Sequence, residues 1–139
     1  MYNRILVAVD GSEHSKRAAS HAVFLASSAP DAHVTLLYVL DYEKTRSDFV
    51  QNLTSEDLHI DRKNKIRPIE ELFTLKGIPT DIKLLHGEAG PVIVEHANKE
   101  NYDIVVIGSR GLNTLQEMVL GSVSHKVAKR VNSPVLLIK

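Results

Sequence analysis

The sequence predicts an α/β fold: a single doubly wound domain, a five-stranded parallel sheet with helices on both faces. Three observations lead there. Short runs of β-branched and apolar residues recur along the chain, bounded by turn residues. Between them lie longer segments with apolar residues at helical spacing. The two kinds alternate as β-α-β-α-β-α-β-α-β, which implies parallel strands joined by right-handed crossovers. The length of 139 residues suits one domain, spanning residues 1–139, and is too short for two ordinary ones.

Ile5 to Val9 is a short, nearly all-apolar run, as expected of a strand buried on both faces. Asp10-Gly-Ser12 is a turn signal. Ser12 suits a helix N-cap and Glu13 a first turn. Ala18, Ala22, Leu25 and Ala26 then place a first helix over Glu13 to Ser28, ending before Pro30. His33 to Val39 is the second strand, and the polar stretch Tyr42 to Ser55 reads as a loop. Glu56 to Lys76 is helical in composition, but Pro68 interrupts it and biases Arg67 away from helix. Two forms fit: a kinked helix, or a shorter one starting near Pro68. Ile69, Leu72 and Phe73 support its second half, and Gly77 is a natural cap.

Thr80 to Leu85 is a third strand, with Asp81 and Lys83 alternating with apolar residues as on a partly exposed edge. His86 to Gly90 reads as a loop, and Pro91 suits the first position of a third helix ending near Glu100. Ile104 to Ile107 is the fourth strand. A fourth helix covers Ser122 to Val131, with Val123, Val127 and Val131 on one face. Asn132-Ser-Pro134 ends it, and Val135 to Ile138 is the fifth strand.

Composition narrows the function classes. Lys plus Arg and Asp plus Glu number 17 each, and the sequence pI is about 7.1. No basic surplus favours nucleic acid as a partner. The absence of cysteine removes disulfides and thiolate metal sites and fits a reducing cytoplasm. No stretch approaches the roughly 20 apolar residues that cross a bilayer, and the N-terminal residues lack the apolar core of a signal peptide. A cytoplasmic protein without a membrane partner is expected. The seven histidines show no ligand-pair spacing, so no protein-built metal site is expected.

The chemistry concentrates near the C-terminus. A strand ends at Gly108, Gly111 follows, and after nine intervening residues come Gly121, Ser122, Val123 and Ser124. Strand, glycine-rich loop and helix start present backbone N–H groups to a phosphate. Glycine at 108 and 111 permits positive φ and close approach to a ligand. Gly121 repeats the device, and Ser122 and Ser124 add hydroxyls at a helix terminus that favours negative charge. Gly108 and Gly111 also fit a plain turn, and Gly121 fits close helix-on-sheet packing. Their combination at the carboxyl end of a strand favours binding. In open α/β sheets ligands bind where strand order reverses. With order 3-2-1-4-5, Asp10 and Gly108 flank that crevice. Asp10 then reads as a polar pocket residue or turn cap, and no catalytic residue is assigned. Arg110 reaches either a phosphate or water. No Walker A loop, Gly-x-Ser-x-Gly or kinase motif occurs, so any ATP hydrolysis should be slow or partner-dependent.

The spacing Gly108-x2-Gly111-x9-Gly121-Ser122, with Val123 and Ser124 fitting, resembles the nucleotide-binding motif of the universal stress proteins, in their ATP-binding branch. The likeness extends over the chain, through Ile5 to Ser12, Gly87 to Pro91 and Ser133 to Ile138. It implies strand order 3-2-1-4-5 and ATP as ligand, with any Mg or Mn ion held by the phosphates. It implies that Ala8 lines the pocket, Asp10 lies near ribose or adenine, and Val39 meets adenine through its backbone. Ile107 would line the pocket beside Gly108. Gly108, Gly111, Gly121, Ser122, Val123 and Ser124 would hold ribose and phosphates. It further implies a homodimer paired through Val135 to Ile138, and a regulatory role in stress response. Two other functions compete. A nucleotide α-phosphate hydrolase or transferase of similar fold would carry Ser-Gly-Gly-x-Asp-Ser after the first strand; Asp10-Gly-Ser-Glu-His-Ser15 lacks the paired glycines. A dimerising interaction protein without a nucleotide would not need the intact glycine motif.

Overall fold

The computed structural model describes residues 2–40, 55–110 and 120–139. Most of the loop expected over Tyr42 to Ser55 lies outside them. The elements in order are β1 (Arg4–Ala8), α1 (Glu13–Ser27), β2 (His33–Leu40), α2 (Ser55–Thr74), β3 (Thr80–His86), α3 (Ala89–Lys99), β4 (Ile104–Gly108), α4 (Ser122–Arg130) and β5 (Val135–Ile138). The sheet order is β3-β2-β1-β4-β5, with every neighbouring pair parallel.

β1 and β4 lie inside the sheet, and alternate residues face opposite sides. Ile5 and Val7 pack with Ala18, Ala19, Ala22 and Ala26 of α1 and with Ile66, Ile69 and Phe73 of α2. Leu6 and Ala8 pack with Ile93 and Ala97 of α3 and Val127 of α4. The unbroken apolar pattern of these strands is therefore two-sided burial. β3 is an edge strand whose residues are all at least partly exposed, as its alternating charges predict.

α1 begins as expected: Ser12 is the N-cap, its Oγ accepts from the Ser15 N–H at 3.2 Å, and Glu13 lies in the first turn. α2 differs. It runs unbroken from Ser55 to Thr74 with Pro68 inside, so the shorter helix starting near Pro68 is not what forms. An interior proline costs about 3 kcal/mol. The side chains of Ile66, Ile69 and Phe73 are fully buried on one face, each worth roughly 1.5–3 kcal/mol, and together they offset that cost. After the helix, Gly77 takes φ +69°, its N–H donates to Thr74 O, and the Ile78 N–H donates to Phe73 O. This is a Schellman cap, and Ile78 and Phe73 share one apolar cluster. α3 starts at Ala89, which puts Pro91 at its third position. The amides of the first turn have no intrahelical acceptor, so the missing N–H does no harm there either.

Candidate functional site

Strand order reverses at β1: the chain leaves it through α1 to β2 on one side, and β4 lies on the other. The carboxyl ends of β1 and β4 therefore open the crevice. Ala8 stands opposite Leu37 of β2 and Ile107 of β4. Two residues further along, Val39, Asp10 and Ser109 reach the carboxyl edge together. Ala8 and Ile107 are buried in the cluster beneath α3 and α4, and Val39 and Val123 pack partly buried against it. Four of the expected lining residues thus share one face of the sheet.

Asp10 is half-buried, and its Oδ1 accepts from the Ser12 N–H at 2.9 Å. That bond, with Gly11 at φ +83°, forms the turn from β1 into α1. The turn-cap role expected of Asp10 is present in the geometry.

Gly108 is required for a different reason than the expected positive φ. The positive-φ glycines among the described residues are Gly11, Gly77 and Gly87. A Cβ on Gly108 would lie 2.8 Å from the Cβ of His14 and 3.0 Å from its backbone carbonyl carbon and oxygen. Only glycine lets the first turn of α1 come down on the end of β4. Gly121 likewise has extended backbone, φ −71° and ψ 163°, as the N-cap of α4. Its N–H donates to Ser109 O at 2.7 Å, while the Ser109 N–H donates to Ile138 O at 2.7 Å. These two bonds bring the start of α4 back to the end of β4. Gly111 lies outside the described residues.

Ser124 is buried, and its hydroxyl donates to Gly108 O at 2.6 Å. Its proton is therefore engaged in tying α4 to β4. Ser122 is exposed at the mouth of the crevice. The two helix starts near the reversal differ. α1 is capped by Ser12 and carries Glu13, whereas α4 has no side-chain cap and no acidic residue in its first turn. Its first amides lack intrahelical acceptors, and the helix dipole adds about half a positive charge there. The arrangement suits an anion.

One pair escaped the sequence reading. Lys126 reads as part of a solvated face, yet its stem crosses the first turn of α3: a Cβ on Gly90 would lie 2.8 Å from Lys126 Cδ. Its Nζ is 3.5 Å from Glu88 Oε1. Nothing in the local spacing announces a contact between helices joined through another strand. Among the described residues, no group of three or more His, Asp or Glu side chains is placed to hold a metal.

A doubly wound sheet whose order reversal lies beside a helix start with no side-chain cap among the described residues defines an α/β protein with a crevice suited to an anion. The chain belongs to the universal stress protein family, whose family model matches residues 1–139. It is 34% identical over 149 residues to universal stress protein YxiE of Bacillus subtilis, covering all of both chains. Among solved structures it is similar to protein MJ0577 of Methanocaldococcus jannaschii, with TM-score 0.89 and 32% identity over 100% of this chain and 96% of that one. It is also similar to a universal stress protein from Archaeoglobus fulgidus solved in complex with dAMP, with TM-score 0.74 and 25% identity over 99% and 98% of the two chains. Among the described residues, no helix is long and apolar enough to cross a membrane.

Proposed function

We propose that the crevice binds an adenine nucleotide, ATP, and that the protein is a regulatory nucleotide-binding module of the stress response. The uncapped, acid-free start of α4 beside the end of β4 carries this reading. Such a terminus satisfies its amides best with an anion. The Archaeoglobus relative, solved with a deoxynucleoside monophosphate, supports an adenine nucleotide as the class of ligand.

In this reading Ala8 and Ile107 form the apolar floor, while Val39 and Asp10 flank base and ribose. Gly108, Gly111, Gly121, Ser122, Val123 and Ser124 hold ribose and phosphates, the last three through the amides of the first turn of α4, with the Ser122 hydroxyl as an added donor. The Ser124 side chain serves the site by fixing α4 against Gly108. Any Mg or Mn ion is carried by the phosphates. Without a Walker lysine, hydrolysis is slow and the bound state is the signal. The protein acts in the cytoplasm as a homodimer joined along β5.

The experiment is to release nucleotide from purified protein by heat, identify it by chromatography, and measure the thermal shift on adding ATP. ATP recovered, or a clear upward shift, is expected. Gly121→Val, which places bulk at the N-cap of α4, should abolish the shift in a folded protein. An empty wild-type protein that ignores ATP, or a folded variant that binds it unchanged, would sink the assignment.

A further inference from the structure

A buried polar cluster lies at the opposite end of the sheet, at the amino ends of the strands. His96 of α3 is 9% exposed, and its Nε2 is 2.9 Å from the hydroxyl of Tyr102, itself 8% exposed. Thr35 of β2 lies beside the Tyr102 hydroxyl and acts on it. Thr35, also buried, donates its Oγ1–H to Asp81 Oδ1 of β3 at 3.0 Å. The same carboxylate oxygen is 2.6 Å from Nε2 of His33, which reaches the surface. Two hydrogen-bonded groups, His96 with Tyr102 and Thr35 with Asp81 and His33, thus adjoin between the interior of α3 and solvent at the amino ends of the strands.

A carboxylate only accepts. Thr35 gives its proton to Asp81. His96 Nε2 and the Tyr102 hydroxyl share one hydrogen bond, so the neutral ring spends Nε2 on Tyr102. Such polar groups hold one another in a low-dielectric interior.

The charged groups acting on His96 are Lys83 and Asp81 of β3, Glu100 just past α3, and Arg4 of β1. The Arg4 guanidinium stacks 5.0 Å from the Tyr102 ring centroid and donates to Glu100 O at 2.6 Å. Burial lowers the His96 pKa from 6.5, and Lys83 adds to the effect; Glu100 and Asp81 oppose it. Burial raises the Tyr102 pKa from 10.0, which keeps its hydroxyl protonated as a donor.

We propose that His96, with Tyr102, Thr35 and Asp81, is an acid-sensitive latch that holds the C-terminal end of α3 on the sheet. A second proton on the His96 ring places a charge in the core beside Lys83 and Arg4. The imidazole then leaves for solvent, and the turn from His96 through Asn101 loosens. The release reaches α4 and the approach to β5. Asn98, two residues on, donates to Arg130 O at 3.1 Å and accepts from the Asn132 N–H at 2.8 Å. The inference is independent of what the crevice binds.

The sign follows from linkage. With its pKa lowered in the fold, His96 binds fewer protons folded than unfolded just below pH 6.5. Stability is therefore complete above that value and falls as pH drops toward the lower folded pKa. The test uses the intact protein. Ring NMR of wild type should show His96 protonating at lower pH than a free imidazole. Between about pH 8 and about pH 5, across the range where histidine titrates, wild type should lose more melting temperature than His96→Gln. Glutamine keeps a hydrogen-bonding partner for Tyr102 but does not titrate. Corrected for intrinsic rates, the amides of residues 97–101 should exchange faster on acidification in wild type, with no such change in His96→Gln. Equal acid loss in the two proteins, or a His96 ring titrating as a free imidazole, overturns the proposal. If His96→Gln does not fold, the wild-type ring titration alone decides.

Discussion

At Gly108 a single hydrogen atom decides how two elements meet. A methyl group there would press on the Cβ and backbone of His14, and backbone cannot rotate away as the end of a side chain can. Gly108→Ala should therefore cost about 1–3 kcal/mol, the range for overpacking a close contact. A urea titration would read this as a lower midpoint, and an unchanged midpoint would show that α1 gives way freely. The neighbouring hydroxyl works in the other direction. Ser124 pulls α4 onto the carbonyl of the same glycine. Gly108 is thus gripped from α1 on one side and from α4 on the other, and the crevice inherits its shape from both.

At the scale of an element, α2 carries the clearest conflict between local preference and packing. Pro68 is exposed, so replacing it with alanine removes no buried surface. Alanine restores a backbone donor and removes the ring's clash with the preceding turn, at the loss of roughly 0.4–1 kcal/mol from a stiffer unfolded chain. Pro68→Ala should raise stability by about 1–2 kcal/mol on the balance of these effects, seen as a higher melting temperature. A lower one would mean that proline suits this turn of α2. The same conflict shows what was legible in the sequence. The strands from Ile5, His33, Thr80, Ile104 and Val135 were readable because two-sided burial writes itself as unbroken apolar runs, or as alternation at the edge. The course of α2 through Pro68 was not, because the burial of Ile66, Ile69 and Phe73 against α1 and the sheet is tertiary. The glycine motif was legible as a pattern, but the reason for Gly108 lay in the approach of His14, remote in sequence. The pairing of His96 with Tyr102 gave no spacing signal, since Thr35 and Asp81 arrive from other strands.

For the whole molecule, β5 ends the sheet, and among the described residues no strand pairs with its outer edge. Val135, Leu136 and Leu137 are only partly buried there. If two copies pair along it, melting temperature should rise with protein concentration and sedimentation should report two chains. A concentration-independent midpoint with a monomer's mass would remove the homodimer from the proposed function. The parallel order has a consequence for how the protein is made. Ile5 lies beside Ile104, and Ala8 beside Ile107, so β1 waits 99 residues for its second neighbour. At about 5–20 residues per second, a ribosome leaves that interval open for roughly 5–20 s. Throughout it the emerging N-terminal half can offer an apolar strand with one edge unfilled, the form most prone to join another chain. The innermost strand of the finished protein is therefore its most vulnerable segment at birth, and the one with most need of a chaperone.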